Sequence, residues 1–350
     1  MKTYGPREKR QARRNGSLAR RVRLGGTVVR SAIFSVATAV LFGGPPAGAA
    51  EPVGVVTILE GDALAIRGLS KLVLAEGVRI AGDDLVETGK GTFLRIEFTD
   101  GAIVDLGPGT RAQLNRPSLK RFDRPALYLL SGWLKLSAGK LAAGTKGSFA
   151  SPQFDALGAV GEVVARVEDS SSKVFAEDGP LQILSRRAGA KAPITIKSGD
   201  FITLNKDDAL KVEVRPTHEF IAALPRQFED PLPARLAQFR AREVPAKPAG
   251  TFTYAEVEVW LDGEPTIRRR FVREWVAKAN DEAFRQKLDA GLARHPEWER
   301  ILYPERFEPK PPPPVASVPA PAAGGSVPVN SSVPSATPAK GAEEAGAPGH

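Results

Sequence analysis

Acidic side chains come nearest, by type and spacing, to doing chemistry in this chain. Asp83-Asp84, Asp100 with Asp105, and Asp207-Asp208 are carboxylate pairs, and two carboxylates held about 5 to 9 Å apart in a cleft can cleave a glycosidic bond. Each pair stands next to Gly or at the end of an apolar run, where Asp serves the backbone by binding local amides. They read as turn makers first. Nucleophilic catalysis has less to build on: there is no Cys and no Gly-x-Ser-x-Gly, and His218, His295 and His350 stand far apart, so no base sits beside a nucleophile. Without a His-x3-His, Cys-based or D-x-D-x-D-G spacing, no metal and no other cofactor is expected. Arg268-Arg269-Arg270 with Arg273 is the densest basic group of the second half and reads as a solvated helix face. Phe271, Trp275 and Phe284 read as core.

The elements that position these acids are short strands. Leu94, Ile96 and Phe98 alternate with Arg95 and Glu97, Asp100-Gly101 intervenes, and an apolar run resumes over 103–106. Such alternation predicts a hairpin with one dry and one wet face, and Asp-Gly suits a tight primed turn. Gly82-Asp83, Gly89, Gly91, Gly107 and Gly109 mark further corners at short intervals.

The order then returns. VGVVTILEGDALAIRG, from Val53, is echoed by KVFAEDGPLQILSR, from Lys173, and VRIAGDDLVET, from Val78, by ITIKSGDFITL, from Ile194. Gly61 to Gly82 is 21 residues, and Gly179 to Gly199, ahead of Asp200, is 20. A unit repeated at nearly equal spacing predicts about a dozen strands in two similar stacked β-layers.

These motifs carry a resemblance. The L-E-G turn, then V-R-I-A-G-D-D-L-V-E-T-G, R-I-E-F-T-D-G-A-I-V-D-L-G-P-G-T and L-L-S-G-W-L, is similar to the FecR-type domain, the family of the iron-dicitrate transport regulator. A-S-P-Q-F-D (150–155) and A-V-G-E-V-V-A-R-V (159–167) fit its T-P-x-A and R-G-T-x-F-x-V patterns, with Gly161 kept and Glu162 where the family has Thr. The resemblance covers residues 53–215. It implies a stacked, internally duplicated, mainly β domain that relays or receives envelope signals, often as the periplasmic part of a sigma-factor regulator. Such a regulator needs a cytoplasmic helical domain before a spanning helix, whereas the stretch before Ala32 is short and basic. Direct contact with a sigma factor is therefore not expected.

Beyond the β domain (51–215), residues 216–250 form a proline-punctuated strap and linker. Residues 251–310 are helical, since Ile267, Phe271, Trp275 and then Phe284, Leu288, Leu292 recur every three or four positions. The His295-Pro296-Glu297-Trp298 stretch ends the last long helix and lets Trp298 fold back. Residues 311–350 are a Pro/Ala-rich tail without aromatics, too poor in apolar side chains to order itself.

The net charge of +9 suggests a nucleic-acid partner until its distribution is read. Ten of the 49 basic residues and one of the 40 acidic ones precede residue 51, which leaves 39 of each. A neutral remainder argues against nucleic acid. The basic block, the apolar run 32–42 and the small residues that follow have the layout of a signal peptide (1–50) cleaved after Ala49 or Ala50, with the general secretory route favoured over the twin-arginine one. The expected product is a periplasmic, disulfide-free chain with no spanning helix. It is expected to be a non-enzymatic binding, scaffold or signal-relay module whose partner is an envelope protein or cell-wall polymer. Two alternatives stand beside it: an envelope glycan hydrolase using the turn carboxylates, and a regulator anchored by an uncleaved N-terminal segment.

Overall fold

Period-two runs broken by Gly, Asp and Ser become seventeen strands between Pro52 and Glu213 in the computed structural model, which describes residues 52–115, 127–139, 147–186, 192–205 and 210–308. Ala49, Ala50, Asp207-Asp208, His350 and the Pro/Ala-rich tail lie outside the described residues. In chain order the strands are β1 (Pro52–Glu60), β2 (Ala63–Arg67), β3 (Ser70–Val73), β4 (Arg79–Ala81), β5 (Leu85–Thr88), β6 (Phe93–Phe98), β7 (Ile103–Leu106), β8 (Arg111–Leu114) and β9 (Leu127–Ser137). Then follow β10 (Gly147–Ala150), β11 (Phe154–Ala159), β12 (Glu162–Val167), β13 (Ser171–Asp178), β14 (Leu181–Ser185), β15 (Ile194–Ile196), β16 (Phe201–Asn205) and β17 (Lys211–Glu213). There are more strands than the dozen expected because the corners cut long runs in two.

Two sheets share these strands. Sheet 1 runs β4-β1-β6-β7-β9-β12-β13-β16-β17, antiparallel throughout. Sheet 2 ends on a late strand, β18 (Lys247–Thr251), and runs β18-β3-β2-β5-β8-β9-β10-β11-β14-β15, with β9 and β10 the parallel pair. β9 belongs to both. Its first half pairs with β8 in sheet 2 and its second half with β7 in sheet 1. The switch falls at Gly132, whose φ is +98° and whose absent Cβ would stand 2.4 Å from the Cα of Thr110. Only glycine fits there.

Inward side chains of both sheets, among them Val56, Ile96, Leu106, Leu134 and Val163 from sheet 1 and Ala65, Val86, Leu129 and Phe154 from sheet 2, form one buried cluster. The expected match of VRIAGDDLVET with ITIKSGDFITL is not kept in the pairing, since β4 joins β1 in sheet 1 whereas β15 joins β14 in sheet 2, and β5 joins β2 whereas β16 joins β13. The pairing repeats one strand earlier, with β3 and β4 in the places of β15 and β16, and does not form two separate layers. In the first copy β1 pairs with β4 and β2 with β3; in the second β13 pairs with β16 and β14 with β15. The outer strands of each copy lie in sheet 1 and the inner ones in sheet 2, so each copy spans the sandwich at its own end.

The two outer faces are covered by different segments. Residues 216–246 strap the face of sheet 1: α1 (His218–Ala222) sets Phe220 against Trp133 and Phe201 at 5.4 and 4.9 Å, and Phe228 lies between Phe93 and Trp133. The face of sheet 2, with Ile66, Leu85 and Tyr128, meets the helices α2 (Tyr254–Leu261), α3 (Pro265–Glu274), α4 (Glu282–Ala290) and α5 (Glu299–Leu302). The apolar stripes of these helices supply Trp260, Phe271 and Phe284, joined by Trp275 just past the end of α3 and Trp298 just before α5. Five residues expected at the junction of linker and helices, Lys247–Thr251, instead form β18. Pro248 is tolerated there because β18 is an edge strand.

Candidate interaction surface

Every acid singled out from the sequence has a structural partner where it is described. Asp84 is 1% exposed; it takes two bonds from Arg67, at 2.8 and 2.7 Å, and the Ala81 amide at 2.9 Å. Its hydrogen bonds hold the Arg67 guanidinium above its ordinary value, against the burial that would lower it. Asp83 pairs with Arg270 of α3 at 2.6 Å. Asp100 accepts the Ala102 amide at 3.0 Å. His295 is fully buried, with Nε2 3.1 Å from the Leu288 carbonyl. His218 opens α1, after the capping Thr217. Among the described residues no group of three or more His, Asp or Glu is placed to hold a metal ion, and no helix is long and apolar enough to cross a membrane.

The basic group divides. Arg268 binds Glu297 at 2.8 Å and Arg270 ties α3 to Asp83, while Arg269 and Arg273 remain exposed. The solvated face expected from the sequence is therefore only half of the group.

The hairpin departs from its expected form in two ways. The loop has three residues, Thr99 to Gly101; Phe98 and Ala102 close it at 2.9 Å, and the positive φ falls on Gly101 (+97°) while Asp100 keeps a negative one. This is a turn followed by a glycine bulge rather than a two-residue primed turn. The wet face is also buried: Arg95 is 6% and Glu97 3% exposed. Arg95 binds Asp105 through two bonds of 2.7 Å, and its remaining nitrogen donates to the Leu232 carbonyl at 3.0 Å. The Lys135 ammonium donates to the Phe228 carbonyl at 2.8 Å and pairs with Glu177 and Glu162 at 2.8 and 3.0 Å. Glu97 accepts the Arg235 and Leu236 amides at 2.6 and 3.0 Å. Arg95, Asp105 and Lys135 stand directly opposite one another on β6, β7 and β9, so one ionic row crosses sheet 1 beneath the strap. Burial works against both charges of the Arg95–Asp105 pair, and the hydrogen bonds to Asp105 outweigh it for the guanidinium, which lies above its ordinary value. Burial likewise lowers the Lys135 ammonium, and Glu177 and Glu162 more than restore it. The sequence signal for this row is the placing of charges at matching steps of adjacent strands.

The predicted corners sit where the chain passes between sheets. Gly61 (φ +92°) joins β1 to β2 and Gly179 (φ +76°) joins β13 to β14. The Gly82-Asp83 corner carries its positive φ on Asp83 (+84°), whereas the second copy carries it on Gly199 (+91°). In hydrogen bonding, Asp200 therefore matches Asp84, one residue later than the sequence alignment: the Asp84 carboxylate takes the Ala81 amide at 2.9 Å and that of Asp200 takes the Lys197 amide at 2.8 Å. Gly77 (φ +91°) is a further counterpart of Gly199, since Gly77 donates to Val56 and Gly199 to Ala176, both at 2.7 Å.

The two ends of the sandwich differ. At the first-copy end Val78 bridges to Val244, Arg79 donates to the Phe239 carbonyl at 2.8 Å, and β18 extends sheet 2 with a register shift between Pro248 and Thr251. At the second-copy end the sheets stop on β15 and β17, beyond which no described strand pairs. Ile194 and Val212 lie opposite the core residues Ile183 and Ile202, yet they are 43% and 46% exposed, and Val214 is 82% exposed. Apolar side chains on the core side of both edges thus face solvent.

No family model and no curated protein matches the sequence. Among solved structures, the chain is similar to two crystal structures, at 1.65 and 2.50 Å resolution, of a candidate anti-sigma factor from Parabacteroides distasonis ATCC 8503. Each has 14% sequence identity and a TM-score of 0.33, over 39% of this chain and 62% of that one.

Proposed function

We propose that the protein is a non-enzymatic FecR-type module of the bacterial envelope, exported to the periplasm, which holds a protein partner by strand addition along β15 and β17. The motifs of residues 53–215 and the signal-like layout of residues 1–50 support the family and the compartment. One observation carries the binding surface: the two copies of the repeat end differently. The first copy is covered by residues 239–246 and by an edge strand blunted by Pro248, a usual defence against stray pairing. The second leaves apolar side chains exposed on both edges, and such an edge accepts an extended segment through main-chain bonds and alternate side-chain contacts.

Photo-reactive residues placed singly at Thr195, Val212 and, as a control, Ala249 of β18 test this in cells. Adducts to protein at the first two positions and none at the third are expected. Adducts at Ala249 alone, or at none of the three, overturn the reading.

A further inference from the structure

We propose that the occupant of the β17 edge is a second copy of this chain, joined through an antiparallel, two-fold symmetric β17 pair centred on Val212. The proposal rests on the reading that the second-copy edge is where binding takes place, and it names the partner.

The segment Leu210-Lys211-Val212-Glu213-Val214-Arg215 alternates perfectly. Val212 lies across from Ile202 and Lys211 from Thr203, so within β17 Val212 takes the core side and 211 and 213 the outer side, with Leu210 just ahead of the strand and Val214 in the bend that follows it. Leu210 packs against the sandwich core, whereas Val212 is 46% and Val214 82% exposed. In a symmetric pair centred on Val212 each residue meets the one whose number completes 424. Val212 then faces Val212 of the partner, and Lys211 stands opposite its Glu213 on the outer side. Lys211 and Glu213 already attract each other within one strand, at 2.9 Å, and the pairing reuses both charges across the junction. Opposed charges and opposed β-branched residues are each favourable in cross-strand positions. The pair would make sheet 1 continuous across two copies and remove its exposed edge, with the same patch used on both sides as a two-fold interface requires. Moving the centre by one residue to either side sets Lys211 against another Lys211 or against Arg215, like charges in both cases.

The natural chain has no cysteine, so single-cysteine variants of the full exported protein report the register directly. Under mild oxidation V212C is expected to give a disulfide-linked dimer. K211C mixed with E213C is expected to give a mixed dimer, and K211C alone none. In sedimentation equilibrium K211E is expected to weaken dimerisation about tenfold, and K211E/E213K to restore it, because directly opposed like charges repel and the swapped pair regains the attraction. Self-linking of K211C, or a dimer insensitive to K211E, overturns the proposed register. Absence of a V212C dimer, with photo-adducts at Val212 to a different protein, overturns the second copy as occupant and leaves the binding edge standing. Absence of both dimer and adduct overturns the edge itself.

Discussion

Arg95 and Asp105 face each other on neighbouring strands of sheet 1, joined by two bonds of 2.7 Å at 6% and 1% exposure, with a strap carbonyl filling the last guanidinium position. A buried pair of this kind is costly to break from one side, because the survivor keeps its desolvation penalty without its partner. Replacing Arg95 with Met is expected to cost about 3–5 kcal/mol in a denaturant melt. Replacing both, as R95M/D105L, should cost clearly less than either single change, since no orphaned charge remains. Equal losses in single and double variants would contradict this account.

Gly132 and Gly109 both have positive φ, +98° and +63°, but a Cβ on Gly132 meets the Thr110 backbone whereas one on Gly109 meets nothing within 4 Å. G109A should therefore cost about 1 kcal/mol through conformational strain alone. G132A adds a clash that moves β8 against β9 and should cost several times more. Thermal melts of the two variants, read side by side, check the order.

Asp84 and Asp200 make the same bond to the amide three residues earlier, yet only Asp84 is also bound by an arginine and buried. D200A should cost about 0.5–1.5 kcal/mol, one hydrogen bond's worth. D84N should cost about 3 kcal/mol or more by stranding Arg67. Chemical denaturation of both variants measures the gap.

Glu256 joins α2 to β3 through Lys71 at 2.6 Å and closes the capping box with Thr253. Burial raises its carboxyl, and the hydrogen bonds from Lys71 and Thr253 with the Lys71 charge together outweigh this, so it lies below its ordinary 4.5. A carboxyl depressed in the folded state contributes its full stability above its unfolded value and loses it as pH falls through the folded one. The stability difference between wild type and E256Q should thus be constant near neutrality and shrink on acidification below about pH 4.5. A difference that grows in acid would show that the helix tether is not ionic.

The corners and the helical stripes were legible because each is a local matter: Gly61 and Gly179 break apolar runs, and Phe271, Trp275 and Phe284 keep a helical period. The fate of Arg95 and Glu97 was not. Their alternation with Leu94 and Ile96 is that of a solvated face, and only a strap about 140 residues away, a separation of 137 from Arg95 to Leu232, makes it a buried one. The offset between the two copies was hidden for another reason. The first copy has an additional corner at Gly77, five residues before Gly82 and just ahead of β4, and it is Gly77 that bonds as Gly199 does, so equal Gly spacing picks out a different corner in each copy. The duplication itself was readable, but its distribution over two sheets depends on which strands pair, which alternation cannot specify.

β9 has a bearing on the order in which the molecule assembles. It is the strand on which β7, β8, β10 and β12 all pair, and it arrives with more than a third of the chain already made. A chain emerging from its N-terminus therefore carries two half-finished sheets, with β7 and β8 as bare edges, until β9 seals both at once. Ribosome stalling or cleavage before Leu127 would release a fragment with paired but unclosed strands, the kind of species that aggregates.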